Sequence, residues 1–174
     1  AESAYSVVAL NFENVLKADP TGFFDAAELG AFYNGGLSGA GMTGPDYNVS
    51  FATGAKVYHP IVPDLQGTGA FKNAPSGIGA MAFEPSVSNL TLNFADGFNN
   101  GFSFFYSSSI NTVSVAVFSG LDGTGTELRS LTLDASPPYC SPANAFYCTW
   151  KVASLNISST ALSVTLRGLT NQIL

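Results

Sequence analysis

The clearest pattern in the chain is an alternation of apolar and polar residues between positions 90 and 117, repeated strand after strand with almost no charge. Leu90, Leu92 and Phe94 alternate with Thr91, Asn93 and Ala95. Phe102, Phe104 and Tyr106 alternate mostly with small or polar residues, as do Val113, Val115 and Val117. Side chains on a strand point to opposite faces at each step, so a period of two marks strands with one buried face. Separated by Gly, Asn and Ser turns, such strands predict an all-β, antiparallel β-sandwich, jelly-roll-like, with about 8–10 strands in one domain over residues 1–174.

The rest of the chain is read the same way. Residues 5–15 are expected to form a first strand, with Val7, Ala9 and Phe12 on one face. The run Asp25-Ala26-Ala27-Glu28-Leu29 favours a short helical segment near 24–32, stopped by Gly35-Gly36. Residues 37–46 read as a Gly-rich loop, and 48–58 as one or two short strands around Gly54. Pro60, Pro63 and Pro75 break 59–79 into irregular chain. Separate strands are expected over 89–94, 101–107, 112–119, 127–134, 149–155 and 161–167, with Asp122-Gly123-Thr124-Gly125 as a turn. No linker, repeat or second domain is visible.

Composition narrows the function classes. With 174 residues the chain can bury a core without help from metals. Only 10% of residues are charged, against roughly 25% in an average soluble domain. Hydrophobic residues make up 46%, and mean hydropathy is +0.23. No apolar run approaches the ~20 residues of a spanning helix, so membrane insertion is not expected. A surface covered by Ser, Thr, Asn and Gly is usual for exported proteins. The opening Ala1-Glu2-Ser3-Ala4 is what a mature chain shows after leader removal, so an extracellular or cell-surface location is expected. Net charge is −6, and the six cations, Lys17, Lys56, Lys72, Arg129, Lys151 and Arg167, are scattered. Nucleic-acid binding needs clustered Lys and Arg, so that partner class is set aside.

Cys140 and Cys148 flank seven residues in a loop that also holds Pro137, Pro138 and Pro142. They are read as a disulfide staple, adding roughly 2–3 kcal/mol on the chain-entropy model and implying an oxidising compartment. Metal binding by these thiols would need further ligands, and the single His59 is distant in sequence.

Chemistry-bearing patterns are sparse. Asp19, Asp25, Glu28, Asp46, Asp64, Asp96 and Asp122 fall in expected loops, but no pair stands out for glycoside hydrolysis. His59 sits between Tyr58 and Pro60, and no G-x-S-x-G motif accompanies it. No catalytic residue is assigned, and the chain is not expected to be an enzyme. No cofactor is expected either. A structural Ca²⁺ is the one ion considered, with Glu13, Asn14 and the Asp122 turn as candidate ligands; the plain alternative is a strand end and a hairpin turn. Loop aromatics could stack on sugar rings, and Tyr139, Phe146 and Tyr147 are the candidate platform. Trp150 is expected to pack against the cystine. Three sequons, at Asn48, Asn89 and Asn156, are candidate N-glycosylation sites, about as many as chance gives. Asn48 looks the most accessible.

Several stretches, taken in order, resemble the ectodomains of exported, exosortase-sorted (PEP-CTERM-type) bacterial surface proteins. They are Asn11-Phe12-Glu13-Asn14-Val15, Tyr33-Asn34-Gly35-Gly36 and Gly44-Pro45-Asp46-Tyr47-Asn48-Val49-Ser50-Phe51. Then come Phe98-Asn99-Asn100-Gly101-Phe102-Ser103-Phe104-Phe105-Tyr106-Ser107 and Val117-Phe118-Ser119-Gly120-Leu121-Asp122-Gly123-Thr124-Gly125. Ala161-Leu162-Ser163-Val164-Thr165-Leu166 and Asn171-Gln172-Ile173 complete the set. The resemblance implies a jelly-roll-like sandwich on a surface or matrix protein, with no enzyme activity. Cys140 and Cys148 depart from its pattern. Similar domains also continue past Asn-Gln-Ile with Phe-Asp-Asn and a final strand, which would leave a sheet edge open here.

Ala4, Tyr5, Ser6, Val7, Val8, Ala9 and Leu10 form the candidate donor strand that a neighbouring copy could receive; the alternative is pairing within the same chain. Donor and receiver would lie on different surfaces, so such contacts need not close and would build a filament. The expectation is therefore a secreted, non-catalytic structural subunit, self-assembling and glycan-decorated where its sequons are used. A carbohydrate-binding module using loop aromatics, with or without Ca²⁺, is the alternative.

Overall fold

A computed structural model describes residues 7–16, 26–58, 71, 73–77, 79–83, 86–108, 112–136 and 147–168. Eight strands are present among them: β1 (Ala26–Glu28), β2 (Val49–Phe51), β3 (Ala55–Tyr58), β4 (Ala80–Phe83), β5 (Asn89–Tyr106), β6 (Val113–Phe118), β7 (Glu127–Leu133) and β8 (Lys151–Arg167). They form two antiparallel sheets, β1-β3-β4 and β2-β5-β8-β6-β7. The chain is all-β, as its alternation predicts.

Both sheets turn one face to a shared core. Ala55, Val57, Met81 and Phe83 come from the smaller sheet, and Val49, Leu90, Leu92, Val115, Val117, Val164 and Leu166 from the larger. The ladder explains the grouping: Val115 lies opposite Leu166, and Val117 opposite Val164. β4 is buried on both faces, because Ala80 and Ala82 point away from the main core into a second cluster with Phe71 and Tyr147.

Four expectations need correction. Residues 7–16 contain no strand. Phe12 and Asn14 have positive φ, at 59° and 60°, which an extended chain cannot accommodate. The segment near 24–32 is not helical in its described part: Ala26, Ala27 and Glu28 pair with Tyr58, Val57 and Lys56. Cross-strand pairing and burial of Ala27 override the high intrinsic helix propensity of Ala and Glu, which tertiary context readily outweighs. The separate strands expected at 89–94 and 101–107 are one strand of 18 residues, and those at 149–155 and 161–167 are one of 17. The turn-like Gly and Asn residues between them are absorbed as bulges: the β5–β8 register shifts on both sides of Phe98, with φ 68° at Gly97 and 70° at Asn100.

These bulges divide β5 and β8 into two halves. The first half of β5 sits between β2 and β8, while its second half pairs with β8 alone among the described residues. This distal ribbon folds over β7. Ala153, Leu155 and Ile157 enter the main core, where Leu128 and Leu131 also pack. The one 3₁₀ turn among the described residues, Leu121–Gly123, closes over the outer face of the larger sheet. Gly123 N–H donates to Ser163 Oγ at 3.0 Å, and Ser163 in turn donates to the Gly120 carbonyl at 2.6 Å.

Candidate assembly site

The N-terminal segment has two different parts. Residues 11–16 are anchored without belonging to a sheet. Phe12 N–H donates to the Tyr33 hydroxyl at 2.8 Å, and the Phe12 ring meets Tyr33 and Phe51 edge-on. Glu13 Oε1 accepts Gly79 N–H at 2.7 Å, the Ser38 hydroxyl donates to the Val15 carbonyl at 2.7 Å, and Val15 is buried. Residues 7–10 join no strand pairing among the described residues; Leu10 still packs against the core, and residues 7–9 lead out of the anchor as an exposed arm. Val7 is 90% exposed and Val8 53%. Two β-branched apolar side chains in water with no ladder around them are an unsatisfied strand former. Of the proposed donor strand, Ala4, Tyr5 and Ser6 lie outside the described residues.

The distal ribbon shows a second apolar surface. Phe102 lies opposite Leu155 and Phe104 opposite Ala153, so all four share the core-facing side. Leu155 and Ala153 are buried, whereas Phe102 and Phe104 are only half covered. They continue a row of rings along β5: Phe94 to Phe98 at 4.7 Å, Phe98 to Phe102 at 5.8 Å and Phe102 to Phe104 at 5.4 Å. On the other face Phe105 lies opposite Val152, and they are 51% and 62% exposed. Along the β8 side of the ribbon a shallow groove of about 230 Å³ is lined by residues 129–131 and 154–156, and Arg129 Nε donates across it to the Asn156 carbonyl at 3.3 Å.

The other candidate residues are not brought together. Tyr147 is only 8% exposed and packs with Phe71, Ala80 and Ala82, so its ring is not presented for stacking on a sugar; apolar contact there outweighs its placement beside a loop. Tyr139 and Phe146 lie outside the described residues. Trp150 packs edge-on against Phe71 at 6.4 Å. Cys148 is disulfide-bonded, and Cys140, the other cysteine in the sequence, lies outside the described residues. Asn89 and Asn156 are exposed. Asn48 is half-buried, and its side-chain amide donates to Asp96 Oδ2 at 2.8 Å, which makes it the least accessible sequon rather than the most.

Of the candidate Ca²⁺ ligands, Asp122 and Glu13 have protein partners. Asp122 Oδ1 accepts from Asn93 Nδ2 at 2.6 Å, while Asp122 N–H donates to Asn93 Oδ1 at 2.8 Å, so this pair pins the turn to β5. Glu13 holds Gly79. Among the described residues no group of three or more His, Cys, Asp or Glu is placed to hold a metal ion. His59 lies outside the described residues, as do Asp19, Asp25 and Asp64. Glu28 Oε2 accepts Gly54 N–H at 3.1 Å, and Asp46 Oδ1 accepts Asn48 N–H at 3.2 Å.

What sequence reading missed is the ribbon, with its half-covered ring row and exposed Phe105–Val152 pair. The alternation at 102–106 carries the signal for an inward face, and Phe105 breaks that alternation on the outer side. No helix among the described residues is long and apolar enough to cross a membrane. No family model, no curated protein and no solved structure matches the chain.

Proposed function

We propose that this chain is a non-catalytic structural protein, exported to a cell surface or extracellular matrix, whose copies join by donating the N-terminal arm as a β-strand. The observation that carries the reading is the arm itself: Val7 and Val8 are exposed and unladdered, directly before a firmly anchored segment. Burying two such side chains in a partner is worth about 1.5–3 kcal/mol each, and main-chain hydrogen bonds add register. The partner is a second copy of the chain. Export is supported by the disulfide at Cys148 and the low charge content of 10%. The resemblance to exosortase-sorted ectodomains points the same way. Asn89 and Asn156 are the sequons a glycosylating host would find exposed. No cofactor enters this function.

Electron microscopy of the intact chain and of a variant lacking residues 1–10 tests the proposal. Regular filaments are expected from the intact chain, and dispersed particles from the shortened one. Dispersed particles from both would refute the structural role and favour glycan binding.

A further inference from the structure

Among the described residues the two sheets present several edges, and all but one of these are short, charged or covered. β4 is buried on both faces. β2 has three residues, and the chain before it is tied down by Tyr47 and Val49 N–H donating to the Tyr33 carbonyl at 2.9 and 3.3 Å. β1 is also three residues long and ends in Glu28. β7 carries exposed Glu127 and Arg129 along its length. The outer side of the distal β8 half is plugged by Arg129 and ends in Lys151, whose Nζ donates to the Ala135 carbonyl at 2.9 Å. Charge, brevity and cover are how natural sheets keep edges from pairing with other chains.

The distal half of β5 has none of these. From Gly97 to Tyr106 the sequence contains no charged residue and no proline. From Asn100 to Tyr106 the ladder with β8 runs without a break, and nothing among the described residues pairs on the other side. We infer that residues 100–106 of β5 are the acceptor edge for the arm, residues 4–10, of a second copy. The inference rests on the structural role proposed above and names its receiving surface.

Three observations favour this occupant. Leu10 packs against its own core, so the six arm residues before it, about 20 Å at ~3.4 Å per residue, would lie along an uninterrupted edge of about 24 Å. The arm is uncharged throughout, as is the edge, so pairing brings no ion into a dry ladder. Alternate arm side chains would continue the core-facing surface beside the half-covered Phe102 and Phe104, and the others would lie beside exposed Phe105. A charged or proline-containing partner strand would lose these matches.

Backbone hydrogen exchange, read by mass spectrometry on assembled and dissociated intact chain, tests the assignment. Assembly is expected to slow amides of residues 100–106 by roughly tenfold or more. A variant carrying Ser103→Lys and Phe105→Lys, both at exposed outward positions, is expected to keep its circular dichroism and stay dispersed where the unchanged chain polymerises. Polymers that need residues 1–10 yet leave 100–106 unprotected and tolerate both lysines would overturn the acceptor edge while leaving strand donation intact. Protection of 100–106 in assemblies formed without residues 1–10 would overturn the arm as its occupant. No assembly by the intact chain would remove both ideas.

Discussion

Tyr33 shows how one side chain can hold the N-terminal anchor in place. It is buried, its hydroxyl accepts Phe12 N–H, and its ring lies near-parallel to Tyr47 and edge-on to Phe32. Burial pushes its hydroxyl up from 10.0 to about 12; the Phe12 N–H opposes the shift, and Tyr47 and Glu13 add to it. The folded chain therefore keeps this proton where the unfolded chain releases it. The associated stability is complete below about pH 10 and is lost as pH rises from there to about pH 12. Urea unfolding followed across that range is expected to show the decline, with a shallower slope in Tyr33→Phe. That variant should also be less stable at neutral pH by about 1–3 kcal/mol, because Phe12 N–H loses its acceptor. Little of this was legible in the sequence. The anchoring bonds join residues 21 to 66 positions apart, and local pattern carries no information about such partners.

At the scale of elements, period-two alternation located the strands and their buried faces well: Leu90, Leu92, Val113, Val115 and Val117 are all core residues. It failed where local signals were outvoted. Ala and Glu at 26–28 suggested helix, but pairing with β3 decides the conformation. The residues between the strands expected at 89–94 and 101–107 read as a break, yet two long strands on a common ladder bend through them and continue. The bend depends on Gly97, whose φ is 68° and whose added β-carbon would stand 2.7 Å from Thr160 Cγ2 and 3.1 Å from the Ala161 carbonyl. Gly97→Val should therefore lower stability by about 1–3 kcal/mol, measured by urea unfolding. Gly97→Asn should cost less, because Asn tolerates positive φ better than a β-branched residue.

For the whole molecule, low charge was legible at once, but which edge stays open was not, since edges exist only after distant segments have paired. The proposed contact joins uncharged backbone and apolar side chains, so its strength should depend little on ionic screening. Light scattering is expected to show assembly persisting at ~1 M salt, where the screening length is only ~3 Å. Dissolution under those conditions would point to charge pairing between copies instead.

The Arg129 plug has a consequence for growth. If copies join by strand donation as proposed, the Arg129 contact with the Asn156 carbonyl on the β8 side would leave one socket per copy among the described residues, and residues 4–10 would be its one plug. Subunits of valence two, with unlike ends, form unbranched polymers that have a direction. One tip of such a polymer would show a vacant socket, and the other a free arm. A short peptide carrying residues 4–10 would fill both the socket at the first tip and the sockets of free copies, so elongation would stop at both tips. Removing the Arg129 side chain would open another side of the ribbon and permit branching.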